Sequence, residues 1–175
     1  MTELQRRLAG SLRNIADFPR PGVDFKDITP LLGDAALLRA TVDALAAPLA
    51  DAGITKVLGV EARGFILATP VALVLGAGFV PVRKVGKLPW DVESTEYALE
   101  YGTDVLEIHR DAVIPGERVV IVDDVLATGG TAAAAVRLAE TLGAEVVGLS
   151  FLLELRFLNG RAAVPGHAVT SLLAY

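Results

Sequence analysis

The sequence predicts an α/β fold: a single domain with a twisted, mainly parallel sheet flanked by helices. Three observations predict it. Apolar runs of strand length, such as "TKVLGVE", "ERVVIVDD" and "AEVVGLSFLLE", recur along the chain and show little alternation, as strands buried on both faces do. Between them lie longer segments whose apolar residues recur at helical spacing. The chain has 175 residues, 53% hydrophobic and 21% charged, which suits one domain with a sizeable core.

The elements follow in order. Leu4, Leu8, Leu12 and Ile15 fall on one helical face. The segment "DFPRPGVDFKDITP" (17–30) breaks that helix, because its prolines and Gly22 forbid regular helix. Its Phe18, Phe25 and Ile28 are apolar, so this loop is expected to pack over something. A second amphipathic helix carries Leu38, Val42, Leu45 and Leu49, with Gly53 as its cap. "TKVLGVE" is a buried strand ending at Glu61, "ARG" a turn, and "FILATPVALVLG" a helix. "FVPVRK" is a short strand, and "VGKLPWDVEST" reads as an exposed loop. "YALEYG" and "DVLEIHR" alternate across Gly102 and Thr103 as a hairpin does. "ERVVIVDD", "AEVVGLSFLLE" and "AVTSLLAY" are strands. "GGTAAAAVRLAETLG" is a helix with Gly143 as its cap. No repeat, linker or low-complexity tract appears, so residues 1–175 form one unit.

Composition removes several function classes. A net charge of −5 argues against binding nucleic acid through bulk positive charge. The chain has no cysteine, which excludes disulfides and thiolate metal sites and fits a cytoplasmic protein. The two histidines, His109 and His167, are too scattered for a zinc site. The first residues lack a signal-peptide core. The most apolar stretch, "FILATPVALVLGAGFVPV", is punctuated by Pro70, Gly76 and Gly78 and reads as helix and strand, so no membrane association is expected.

In parallel sheets ligands bind beyond the carboxyl ends of the strands. Three chemically loaded turns fall there: "EARG" (61–64), "RKVGK" (83–87) and "DDVLATGGT" (123–131). In the last, Gly129 and Gly130 let backbone N–H groups turn inward at the start of a helix, and Thr128 and Thr131 add hydroxyls. That is a phosphate cradle, or more plainly a glycine turn with a threonine cap. No lysine precedes a serine or threonine, so it is not a Walker A loop, and no GxGxxG is present. Asp123 and Asp124 suit a metal, a base or the two donors of a vicinal diol; one of them alone could simply pair with an arginine. Arg63 prefers a bidentate oxyanion. Arg83, Lys84 and Lys87 form either a solvated basic cluster or a polyphosphate site.

A hydrophobic run, two acids and "ATGGT" opening a helix resemble the signature of the type I phosphoribosyltransferases. The resemblance covers nearly the whole chain, through "DFPRPGVDFKDITPLL", "EARGF", "RKVGKLP", "YALEYGTDVLEIHRDAV", "VVIVDDVLATGGT" and "LLELRFLNGR". "FKDITP" and "LEYG…LEIH" point to the adenine-specific branch. The resemblance implies that family's fold, with a small N-terminal hood (1–33) and a flexible hairpin or loop (about 86–103) over the site. It implies transfer of a phosphoribosyl group from phosphoribosyl pyrophosphate to adenine, giving AMP and pyrophosphate in purine salvage.

The same resemblance implies roles. Ala127, Thr128, Gly129, Gly130 and Thr131 would bind the 5-phosphate, and Asp123 and Asp124 would lie at the ribose hydroxyls. Ala62, Arg63, Arg83, Lys84 and Lys87 would meet the pyrophosphate, Arg83 from the other subunit of a homodimer. A cis peptide is expected at Ala62–Arg63. Phe25 would stack on adenine, with Val23, Asp24, Lys26, Val125 and Leu126 around it; Lys26 stands where the family usually has arginine. Glu100 would handle the purine proton, with Tyr101 beside it in the lid, and the segment from Lys87 to Thr95 would close over the site. Mg2+ would be held mainly by substrate oxygens and water rather than by protein ligands. The rivals are the same fold acting on hypoxanthine, guanine, xanthine or orotate, a non-catalytic sensor of the donor, and a signalling receiver domain.

Overall fold

The computed structural model describes residues 1–98 and 103–175. Helix α1 (Glu3–Ser11) starts on a capping box between Thr2 and Gln5 and ends where Leu12 turns extended. Ile15, expected on that helix, lies instead in strand β1 (Arg13–Ile15). β1 pairs antiparallel with β2 (Phe25–Asp27), so the stretch 17–30 supplies the connection and second strand of a hairpin and then opens a helix, rather than forming an irregular loop. Its prolines do not interrupt the ladder: Pro19, after a cis Phe18–Pro19 bond, and Pro21 sit in the connection, which the Asp17 carboxylate ties by accepting the Gly22 amide at 2.7 Å. This hairpin and α2 (Thr29–Leu32) form the hood.

Helix α3 (Ala35–Ala46) opens on Asp34, whose carboxylate accepts the amides of Ala36 and Leu37. It runs into a 3-10 turn at Ala47–Leu49, so Gly53, with φ of 63°, lies in the following turn and does not cap the helix. β3 (Lys56–Val60), α4 (Arg63–Leu75) and β4 (Gly78–Lys84) follow. β5 (Val92–Ala98) and β6 (Thr103–His109) pair antiparallel from Val92↔His109 to Ala98↔Thr103. The strand therefore begins inside the segment read as loop; the period of "VESTEYA" is hidden because half its positions are polar. β7 (Arg118–Leu126), α5 (Gly130–Thr141), β8 (Glu145–Glu154) and β9 (Val169–Ala174) complete the chain.

The main sheet has seven strands in the order β5-β6-β4-β3-β7-β8-β9. β4, β3, β7, β8 and β9 are parallel, and β5 and β6 add an antiparallel edge. β7 shows how the sheet sorts its faces. Val119 and Ile121 join the core beneath α5, while Val120 and Val122 join the core beneath α1, α3 and α4. Burial on both faces explains the near-continuous apolar runs. The parallel direction of the strands brings the carboxyl ends of β3, β7 and β8 to one edge, facing the hood. Among the described residues no helix is long and apolar enough to cross a membrane.

Candidate active site

The hood and the ends of β3, β7 and β8 enclose a cleft of about 610 Å³. The hood contributes Val23, Asp24, Phe25 and Lys26; the turn after β3 contributes Glu61, Ala62 and Arg63. Asp123, Asp124, Val125, Ala127 and Thr131 form the floor, with Leu153 and Leu155 beside them. The volume falls within the roughly 300–1,000 Å³ of small-molecule sites.

Both acids lie within β7, which continues to Leu126 instead of ending at the pair. Adjacent strand residues ordinarily face opposite ways, yet both reach the cleft. Asp123 Oδ1 accepts the amide of Asp124 at 2.8 Å, and Asp124 is 5% exposed. Arg63 Nε lies 2.5 Å from Asp124 Oδ2 as an ion pair, though without hydrogen-bond geometry, so that buried oxygen keeps its acceptor capacity. Burial, and then the neighbouring charge of Asp124, push the Asp123 carboxyl well above the usual range. Burial also raises Asp124, against the opposing pull of Arg63. The pair therefore favours holding a proton or receiving donors.

Gly64 leaves room for this arrangement, since a Cβ there would sit 2.6 Å from Asp123 Oδ1. The same Arg63 places its guanidinium carbon 5.2 Å from the centre of the Phe25 ring. Phe25 is in turn packed edge-on by Phe18, centroids 5.2 Å apart.

A second cavity of about 60 Å³ adjoins the cleft and is lined by Ala127 through Ala132 with Asp123. Gly129 caps α5 with φ of 84°, and no side chain caps the helix. The threonine-cap reading of "ATGGT" thus fails, and the first amides of α5 meet the cavity without a side-chain acceptor. Leu126, expected with the base-binding residues, is 1% exposed, sits in the core and lines this smaller cavity rather than the cleft. Strand alternation separates it from Val125, which does line the cleft. The cis peptide of the "EARG" turn is Glu61–Ala62, one bond before the expected Ala62–Arg63.

The basic turn does not line the cleft. Arg83 Nε donates to Glu61 Oε2 at 2.6 Å and its Nη1 to the Lys87 carbonyl at 2.9 Å. Lys84 Nζ lies 3.0 Å from Asp104 Oδ2. Their hydrogen bond holds the lysine above its usual range and, with the Val105 amide, the aspartate below its own. Glu107, 6% exposed, accepts the Gly86 amide at 2.9 Å and so pins the turn from β6. Arg137 of α5 donates to the Glu96 carbonyl at 3.0 Å and holds β5. Glu100 and Tyr101 lie outside the described residues.

Lys26 donates to Asn14 Oδ1 at 2.7 Å and lies 4.7 Å from the centre of the Tyr175 ring. Among the described residues no three His, Cys, Asp or Glu side chains gather as a metal cluster. Two carboxylates suit an Mg2+ that takes most of its oxygens from substrate and water. Sequence reasoning missed Glu61, Leu153 and Leu155 as cleft residues. The signal for the leucines was present: Leu153, near the end of β8, and Leu155, just past it, alternate, and Leu153 pairs in register with Val125.

The phosphoribosyl transferase domain family matches residues 34–161. The adenine phosphoribosyltransferase of Acidothermus cellulolyticus is 57% identical over 166 residues, 95% of this chain and 94% of that protein. The crystal structure of adenine phosphoribosyltransferase from Rhodothermus marinus gives a TM-score of 0.94 at 52% identity, covering 98% of each chain. The Saccharomyces cerevisiae enzyme, crystallised with adenine and an imino-altritol bisphosphate, gives 0.93 at 39% identity, covering 98% of this chain and 99% of that one.

Proposed function

The chain belongs to the adenine phosphoribosyltransferase family, and from that premise we propose that it transfers the 5-phosphoribosyl group of phosphoribosyl pyrophosphate to adenine in purine salvage. The products are AMP and pyrophosphate. One observation carries the reading: an aromatic hood residue, an arginine and two carboxylates share a cleft whose floor continues into a glycine-lined anion cavity. That sequence of subsites suits a base, a leaving group, a diol and a phosphate on one line.

In this reading the 5-phosphate takes the amides and hydroxyls of Ala127 to Thr131, where the α5 dipole favours an anion. The ribose hydroxyls donate to Asp123 and Asp124. Adenine stacks on Phe25, with Val125, Leu153 and Leu155 as apolar walls and the backbone from Val23 to Phe25 reading its edge. Arg63 and Ala62 meet the pyrophosphate. Lys84 and Lys87 join them once Lys84 leaves Asp104, and Arg83 serves the other subunit's site of the homodimer once it leaves Glu61.

The C1–O bond to pyrophosphate breaks as the bond from adenine to C1 forms, and positive charge develops on the ribose. The cations stabilise the departing group. The purine loses a proton, and Glu100 is our choice of acceptor; an Glu100→Gln variant with normal kcat overturns that choice. Mg2+ near Asp123 and Asp124 would supply charge neutralisation for the pyrophosphate.

The α4 face bearing Ile66, Leu73 and Val74, 44%, 77% and 48% exposed, supports a homodimer. Leu73→Asp is expected to yield monomers in light scattering. A cytoplasmic location suits the cysteine-free sequence.

The test is AMP formation from adenine, donor and Mg2+, run beside hypoxanthine, guanine, xanthine and orotate. Adenine alone should react. Preference for a 6-oxo purine or a pyrimidine overturns the base assignment, and donor binding without turnover favours the sensor.

A further inference from the structure

We propose that the turn at 159–163, clamped by the Arg161–Glu154 pair, moulds the phosphate loop, which makes Arg161 and Gly160 positioning residues for the 5-phosphate. The inference rests on the reading of Ala127–Thr131 as the 5-phosphate site.

Two backbones meet here with no side chain between them. A Cβ on Gly129 would lie 2.2 Å from the Gly160 carbonyl oxygen and 2.7 Å from Ala163 Cβ. Conversely, a Cβ on Gly160 would lie 2.3 Å from the Ala127 carbonyl oxygen and 3.0 Å from Leu126 Cδ1. The direction of the loop amides therefore depends on where the 159–163 turn sits. Neither glycine can carry a side chain without pushing the other backbone away.

The position of that turn is set by Arg161. Its Nε donates to Glu154 Oε1 at 2.6 Å and its Nη2 to Oε2 at 2.7 Å. Its Nη1 donates to the Val169 carbonyl at 2.7 Å. Glu154, 4% exposed, ends β8, pairs in register with Leu126 at the end of β7, and accepts the Ser171 hydroxyl at 2.7 Å. One guanidinium thus fastens the turn to β8 and β9. A bidentate fork does this in a way an ammonium does not. Neither Arg161 nor Glu154 lines the cleft or the smaller cavity, so whatever they contribute to binding passes through the loop.

The experiment compares Arg161→Ala, Arg161→Lys and Glu154→Gln with the wild type. Steady-state kinetics gives KM for the donor, KM for adenine and kcat; calorimetry gives Kd for ribose 5-phosphate. For Arg161→Ala the donor KM and the ribose 5-phosphate Kd should both rise by about tenfold or more. KM for adenine and kcat should stay within about twofold, and Arg161→Lys should fall between. A lowered melting temperature with unchanged donor KM and ribose 5-phosphate Kd leaves the pair purely structural and overturns the proposal. If Arg161→Ala does not fold, Arg161→Lys decides by the same readouts. A wild type that binds ribose 5-phosphate but makes no AMP overturns the functional reading while the calorimetric comparison still decides the clamp. A wild type that binds no ribose 5-phosphate overturns both.

Discussion

Arg63 lies over the face of Phe25, its guanidinium carbon 5.2 Å from the ring centre, while its Nε stays 2.5 Å from Asp124. One cation therefore links the ring proposed for the base to a carboxylate proposed for the diol. Pyrophosphate offers Arg63 a bidentate anion in place of a single carboxylate. Removing the ring should weaken adenine specifically. Base–aromatic stacking contributes about 1–3 kcal/mol, so Phe25→Ala should raise KM for adenine about tenfold or more. Phe25→Tyr should stay near wild type. Equal loss of donor and adenine affinity in Phe25→Ala would place the ring elsewhere in the mechanism.

The acid pair gives the second prediction. The Asp123→Asn/Asp124→Asn double variant should lose at least about tenfold in kcat/KM, the effect of ~1.4 kcal/mol. Its pH behaviour has a definite sign. Both carboxyls are raised above their ordinary value, Asp123 by burial and then by Asp124, Asp124 by burial against Arg63. Their contribution to stability is present below the unfolded carboxylate value and is lost as pH rises through the raised values. A donor diol favours the ionised pair. Donor affinity should therefore increase over the same rise, and binding should release protons, measurable by calorimetry in buffers of different ionisation enthalpy. No buffer dependence would remove the protonated pair from the unliganded site.

Much of this site could be read in advance because chemistry and topology coincide there. "EARG" follows a buried strand's end, "ATGGT" opens a helix and the acids of "VVIVDD" lie just before the end of β7, and the fold gathers such ends. What stayed hidden was long-range or conformational. Ile15 has the right spacing for α1, but the helix stops at Ser11 and β1 claims the residue. Leu126 is adjacent to Val125, and only the continuation of β7 past the acids sends it into the core. The clamp joins Arg161 of the 159–163 turn to Glu154 at the end of β8, a return of the chain that no local pattern announces. Lys84 reads as a pyrophosphate ligand from its neighbours, yet its partner in the structure is Asp104 on another strand.

Glu154 makes a separate prediction for stability. The Arg161 hydrogen bonds lower its carboxyl from 4.5 to about 2. A depressed carboxyl stabilises the fold above its unfolded value, and that contribution is lost as pH falls from about 4.5 towards about 2. The shift corresponds to about 3 kcal/mol at most for this buried group. Thermal melts of wild type and Glu154→Gln should differ clearly at neutral pH, and the gap should close in acid. A constant gap across that range would assign the difference to packing instead of charge.

Two helical glycines separate a clash from a propensity. Gly10 of α1 has nothing within 4 Å of where a Cβ would stand. Alanine there should stabilise the protein by about 0.5–1 kcal/mol, through helix propensity alone, and leave the kinetics unchanged. Gly64 is also helical, in the first turn of α4, so alanine gains the same propensity. Its Cβ, however, would stand 2.6 Å from Asp123 Oδ1 and 3.2 Å from Asp123 Cγ. The carboxylate must move, because Cβ atoms do not approach an oxygen to 2.6 Å, whereas the Val122 carbonyl oxygen, 3.4 Å from the same Cβ, makes an ordinary contact. Gly64→Ala should therefore lose about tenfold or more in kcat/KM even if its melting temperature barely changes. Gly10→Ala measured in parallel isolates the cause. If Gly64→Ala keeps wild-type kinetics, the position of Asp123 does not govern catalysis.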